Sequence, residues 1–141
     1  MKKLLICLVL ILLLGGCGKE VNTIDIDKTA IVIEKDLHDM KIIDDTTLTG
    51  VYNLSLDKME KYVFKENDNG DWYAIIKTSD KALIKNEMEG CFEKIKEFNS
   101  NYSPERLEIL ENRVEKEIGD NLIYIISKDA NQIYNNIINE L

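Results

Sequence analysis

The sequence predicts an α+β domain: an antiparallel four-stranded sheet made from two hairpins, with helices packed on it in the order α-ββ-α-ββ-α. Three observations lead there. Two pairs of strand-like segments are each divided by a glycine-bearing turn, Asn67-Asp68-Asn69-Gly70-Asp71 and Gly119-Asp120. Each pair is followed by a stretch whose apolar residues recur every three or four positions, the period of a helix with one buried face. The second member of each pair, Trp72 to Thr78 and Leu122 to Ser127, is apolar at nearly every position. That is the pattern of a central strand covered on both sides.

Taken in order, Ile26, Ala30, Ile33, Leu37 and Met40 form the stripe of a first helix, with Asp25 or Asp27 as N-cap. Lys41 to Thr49 reads as loop with room for a short extended piece, closed by Gly50. Val51 to Met59 fits either an extended segment or a brief helical turn. Lys61 to Glu66 and Trp72 to Thr78 form the first hairpin, and the Asn69-Gly70 pair predicts a type I′ turn with positive φ at both residues. Tyr73 and Ile75 then share one face, and Trp72, Ala74 and Ile76 the other.

Ser79 or Asp80 caps a long helix running to about Asn99. Ile84, Met88, Cys91, Phe92, Ile95 and Phe98 form its buried stripe, and Lys85, Glu89, Glu93, Lys96 and Glu97 its wet face. Gly90 costs that helix about 1 kcal/mol relative to alanine, which predicts a neighbour packed close to it. Ser103-Pro104-Glu105 starts a short helix with proline in its first turn. Val114 and Ile118 mark a half-exposed strand from about Asn112 to Ile118, which Gly119-Asp120 turns into the central strand. In the closing helix Ala130, Ile133, Tyr134, Ile137, Ile138 and Leu141 keep helical spacing, and Asp129 with Gln132 matches a capping box.

The first seventeen residues have a different character. Lys2 and Lys3 precede an unbroken apolar run from Leu4 to Leu14, followed by Gly15, Gly16 and Cys17. Eleven residues span about 16 Å as a helix, whereas a bilayer core of about 30 Å needs roughly 20 apolar residues. The run therefore suits a secretory signal better than a permanent anchor. Leu14-Gly15-Gly16-Cys17 resembles the lipobox of bacterial lipoproteins. The resemblance implies that lipoprotein signal peptidase (signal peptidase II) recognises Leu14, Gly15 and Gly16 and cleaves before Cys17. It also implies that the Cys17 thiol carries a diacylglyceryl group, with its freed α-amine open to further acylation. Two acyl chains hold a protein firmly, where one gives only marginal binding. The organisation expected is signal peptide 1–16, lipidated cysteine and tether 17–25, and a single domain 26–141.

The chain has 141 residues and a net charge of −8. Loss of residues 1–16 removes two lysines and leaves 16 basic against 26 acidic residues, a net −10 over 125 residues. Such a domain is a poor partner for nucleic acid and is repelled by anionic lipid heads. With Cys7 in the signal and Cys17 lipidated, Cys91 stands alone and no intramolecular disulfide is expected.

Patterns that carry chemistry are sparse. His38 is the single histidine, and a zinc site built on imidazoles normally uses more than one. Cys91 sits on an apolar stripe, the setting of an inert core thiol. Asn67 to Asp71 has the look of a calcium loop. Placing Gly70 at its sixth position, however, puts Lys65 first and Ile76 twelfth, where carboxylates are required. Asp44-Asp45 and the series Glu105, Glu108, Glu111, Glu115 and Glu117 read as solvated acidic faces. No phosphate-binding glycine loop, nucleophile elbow or paired-cysteine motif occurs. No catalytic residue, metal or cofactor is therefore assigned.

Several short segments from Trp72 onward resemble a family of small lipoproteins of low-GC Gram-positive bacteria, domain of unknown function 4358. They are the apolar strand before Ser79-Asp80, the segment Tyr102-Ser103-Pro104-Glu105, and Tyr124 followed by Ser127-Lys128-Asp129-Ala130. The chain departs at Gly119-Asp120-Asn121-Leu122, where members often carry Gly-Asn-Tyr. The resemblance implies location and fold and adds no catalytic group. The expectation is a lipid-anchored protein on the outer face of the cytoplasmic membrane, acting without catalysis as a binding module for an unknown envelope protein or ligand. The alternative is an envelope enzyme using paired carboxylates as acid and base.

Overall fold

The computed structural model describes residues 23–141. Five helices and five strands follow in the order α1 (Ile26–Ile33), β1 (Lys41–Ile42), α2 (Asp45–Gly50), β2 (Lys61–Glu66), β3 (Trp72–Lys77), α3 (Lys81–Tyr102), α4 (Leu107–Glu111), β4 (Val114–Ile118), β5 (Asn121–Ile126) and α5 (Ala130–Glu140). Single 3-10 turns occupy Leu56–Lys58 and Pro104–Arg106. The strands form one sheet in the order β1-β2-β3-β5-β4 with every neighbour antiparallel. The two hairpins meet where Trp72 lies opposite Ile126 and Lys77 opposite Asn121.

The two central strands dictate the layers. Trp72 to Ile76 and Asn121 to Ile126 are buried at every position, and their side chains alternate between faces. Trp72, Ala74, Ile76, Leu122, Tyr124 and Ile126 pack on one face against Ile84, Met88, Cys91 and Phe92 of α3 and Leu48 of α2. Tyr73, Ile75, Ile123 and Ile125 pack on the other against Ile26, Ala30 and Ile33 of α1 and Ile133 and Ile137 of α5. At about 1.5–3 kcal/mol for each large apolar side chain fully buried, neither face can be left open.

Several expectations are corrected. The sheet has five strands because Lys41–Ile42 pairs with the outer edge of β2; two residues are too few to show a period of two. Asp44 caps α2 by accepting from the Thr47 amide at 2.9 Å, inside the segment expected to be loop. The first helix stops at Ile33 rather than continuing through Met40, and Asp39 takes a positive φ of 57°. Leu37 is still buried, but His38 lies in an exposed loop.

The first hairpin turn is not type I′, since only Gly70 has positive φ, at 79°. Gly90 has no neighbour within 4 Å of where a Cβ would sit, so no close packing explains it. Asp129 makes no side-chain cap bond, and its amide donates to Ser127 Oγ at 3.3 Å instead. Asp25 and Asp80, by contrast, cap α1 and α3 through the amides of Lys28 and Leu83.

Glu34, just past the end of α1, ties that helix to the sheet. Its Oε1 accepts from the buried Tyr73 hydroxyl at 2.5 Å and from Lys65 Nζ at 2.6 Å. Burial alone would raise the Glu34 carboxyl. Those two hydrogen bonds and the Lys65 charge outweigh it and hold the pKa below the usual 4.5. A carboxylate with a depressed folded pKa contributes fully above its unfolded value, and the contribution fades as pH falls through the folded one. Tyr73→Phe should therefore cost about 1–2 kcal/mol at pH 7. Denaturant melts of the two proteins should converge as the pH falls through the lowered Glu34 pKa, below its usual 4.5.

Candidate functional site

With both faces of the sheet covered, concave space lies at its rim: a cavity of about 370 Å³ sits between α3 and β4 over Lys85, Glu89, Glu115 and Tyr124, and a more continuous region lies at one end of the sheet, beyond the β2–β3 turn. Two adjoining cavities of about 330 and 520 Å³ share Glu66, Gly70, Phe98 and Asn99. Both fall within the usual range for small-ligand pockets, about 300–1,000 Å³. Trp72 and Ile126 contribute from the ends of the central strands, Val51 and Tyr52 from the end of α2, and Lys94 and Ile95 from α3. The second cavity extends over Asp68 and Asn69 to Ser103, Arg106, Ile109 and Lys128.

The turn that forms one wall is rigid by construction. The buried Asn67 accepts from the amides of Asn69 and Asp71 at 3.0 Å each, and donates to the His38 carbonyl at 3.1 Å and Asp71 Oδ2 at 3.2 Å. Arg106 closes over the turn from outside, donating to the Gly70 carbonyl at 2.5 Å. A Cβ on Gly70 would lie 2.5 Å from Arg106 Nε. Glycine is thus favoured by the positive φ, and a side chain there would displace the guanidinium from the turn. Asp68 pairs with Lys41 at 2.8 Å. The acids that suggested a calcium loop are engaged in turn geometry and ion pairs.

Two polar groups on the shared wall are unengaged. Asn99, only 7 % exposed, has no hydrogen bond to its side-chain amide among the described residues, although the amide still reaches solvent, and Glu66, exposed at the end of β2, has no ion pair among them. Burial raises the Glu66 carboxyl above its usual range, and the neighbouring Asp68 adds to the rise. The indole N–H of Trp72 is buried and also without a partner. Phe98 was expected in the core stripe of α3 but is 58 % exposed, its ring 4.9 Å from that of the exposed Tyr102. Val51 is exposed at the same rim.

The remaining candidates fall elsewhere. Leu14, Gly15, Gly16 and Cys17 lie outside the described residues. Cys91 is fully buried, and burial pushes its thiol up to about 12, where it is inert at neutral pH. Asp45 accepts from the Tyr62 hydroxyl at 3.0 Å. Glu117 lies between Lys81 and Lys85, whose hydrogen bonds hold it down to about 2. Glu115 pairs with Arg113, whose guanidinium stacks over Phe92 at 4.2 Å. Among the described residues no three His, Cys, Asp or Glu side chains are grouped to hold a metal, and no helix is long and apolar enough to cross a membrane.

The family profile described as Domain of unknown function (DUF4358) matches residues 34–127, two thirds of the chain. The protein belongs to the DUF4358 family. No curated protein and no solved structure matches it. The DUF4358 match takes in the sheet, α3 and most of the groove wall, including Glu66, Trp72 and Asn99. It leaves α1 and α5 outside.

Sequence reading missed the groove, although one signal was present. Asn99 is four residues beyond Ile95 and seven beyond Phe92, so it is a polar residue on the buried stripe of α3. Its amide is not sealed from water, so it costs the fold less than the about 1–3 kcal/mol of a wholly unsatisfied buried amide. Asn99→Leu should therefore leave stability in thermal or urea unfolding unchanged or raised by less than about 1 kcal/mol. A loss of similar size would mean that Asn99 has a structural role.

Proposed function

We propose that the protein is a lipid-anchored binding module on the outer face of the cytoplasmic membrane, held by a diacylglyceryl group on Cys17 and engaging an envelope protein or ligand, without catalysis, through the groove at Glu66 and Asn99. The observation that carries the binding assignment is the pair of adjoining cavities with Glu66, Phe98 and Asn99 on their shared wall. The anchor rests on the lipobox, and the placement of the domain supports the combination. Asp27, in the first turn of α1, pairs with Lys61 at the start of β2 at 2.5 Å. The chain therefore enters the domain at one end of the sheet. The groove lies at the other end, past Glu66, about 20 Å away for a strand of six residues. A domain tethered by its N-terminal segment would turn that groove away from the lipid surface.

A second reading, an enzyme working through carboxylates, draws on Glu66 and Asp68 lining one cavity with Glu66 raised. It is weakened by Asp68, which is exposed and paired with Lys41.

The anchor is tested with Cys17→Ala expressed in the native host. The wild-type protein should incorporate labelled palmitate and sediment with membranes. The variant should lose the label and the processing at Gly16. A variant that stays labelled and normally processed would contradict the anchor.

A further inference from the structure

We propose that the groove binds a neutral oligosaccharide of equatorially substituted sugar rings, one ring lying on the exposed face of Phe98 and its hydroxyls meeting the uncommitted side chains of the wall. This rests on the reading of the groove as a binding site and adds the chemistry of its occupant.

The charges of the lining cancel. Glu66, Asp68 and Glu105 stand against Lys94, Arg106 and Lys128, three acids and three bases, in a chain whose net charge is −8. A phosphate, a carboxylate or an ammonium entering such a space meets repulsion on the scale of the attraction it gains. An uncharged molecule meets neither and sets only its own hydration against what the wall offers. The cavity between α3 and β4 is no equivalent. There Lys85 and Glu117 form one ion pair and Glu115 another with Arg113, and the one aromatic residue of the lining, Tyr124, is buried.

The wall selects a molecule rich in hydroxyls. The side chains of Asn69, Asn99 and Ser103 make no hydrogen bond among the described residues, and Glu105 and Lys128 make no ion pair there, yet all line the groove. The amides and the hydroxyl offer donors and acceptors, the carboxylate accepts and the ammonium donates. A sugar hydroxyl does both, so each can turn to suit whichever group it meets. A hydrocarbon would take water from the same groups without replacing its hydrogen bonds.

Phe98 selects the shape. It lines both cavities, is exposed, and has the exposed Tyr102 beside it, with ring centroids 4.9 Å apart and planes tilted by 37°. The face of an aromatic ring is negative, and the C–H bonds of a sugar are polarised positive at hydrogen by the oxygens on their carbons. Where every hydroxyl is equatorial, the sugar shows a face of C–H bonds alone. That face lies flat on an aromatic ring while the hydroxyls project sideways to the polar wall. β-1,4-linked glucose and N-acetylglucosamine have this form.

The test uses the mature lipidated protein in nanodiscs and four tetrasaccharides: neutral cellotetraose and chitotetraose, anionic tetragalacturonate and the protonated glucosamine tetramer. The single tryptophan, Trp72, lines the groove, so its emission reports occupancy, with ligand-observed NMR as a second readout. At least one neutral tetramer should bind with a Kd about tenfold below that of either charged one. Phe98→Ala and Phe98→Leu should each weaken that binding about tenfold, the scale of one aromatic contact, and Phe98→Trp should keep it. No binding of either neutral tetramer, tighter binding of a charged one, or full affinity in Phe98→Leu would each overturn the assignment. Photocrosslinking in intact cells from a benzophenone side chain at position 102, with exposed position 31 as control, judges the groove itself. An adduct at 102 alone with failed sugars removes only the sugar, and an adduct at neither position removes the binding site as well.

Discussion

The pairing of β3 with β5 is the contact on which the rest of the structure depends. Tyr73, Ala74, Ile75 and Ile76 of one strand and Ile123 and Ile125 of the other have no exposed surface. Because successive side chains point to opposite faces, this pair cannot be satisfied by a sheet with one wet side. It requires a helical layer above and another below. The long α3 supplies most of one layer, and α1 and α5, from opposite ends of the described chain, supply the other.

Closing both faces moves function to the periphery of the sheet. Ion pairs decorate much of that periphery, as where Glu117 lies between Lys81 and Lys85, and exposed pairs of this kind contribute little to stability. At the β2–β3 end the chemistry differs. A clamped turn and the last turns of α3 enclose space around a carboxylate and an amide that the fold itself does not use. Polar groups at a cavity wall that the fold leaves uncommitted are where a binding role is best sought.

The legible parts of the fold were those with a long-range period or a strong local code. The alternation of Trp72 to Ile76, the stripe from Ile84 to Ile95 and the caps at Asp25 and Asp80 are each set by neighbouring residues. β1 was legible only as room for a short extended piece in Lys41 to Thr49, because its two residues acquire strand geometry only by pairing with Lys65 and Glu66. The early end of α1 was hidden for a related reason: Glu34 is drawn to Tyr73, 39 residues away in sequence. The groove combines the β2–β3 turn, α3 and Arg106, a juxtaposition no local pattern encodes. Phe98 was misplaced because one step around a helix separates the buried stripe from the rim.

The DUF4358 match stops short of the two helices that seal the second face, although the burial of Tyr73, Ile75, Ile123 and Ile125 makes them integral to the fold. Amide hydrogen exchange of the mature protein tests this claim most directly. The amides of 26–33 and 130–140 should be strongly protected and lose protection together with those of 72–77 and 121–126, in one cooperative opening. Exchange of residues 26–33 at the rate of an unfolded chain, while both central strands stay protected, would contradict it. The first helix would then be only a spacer, and the Tyr73 face of the sheet would be open.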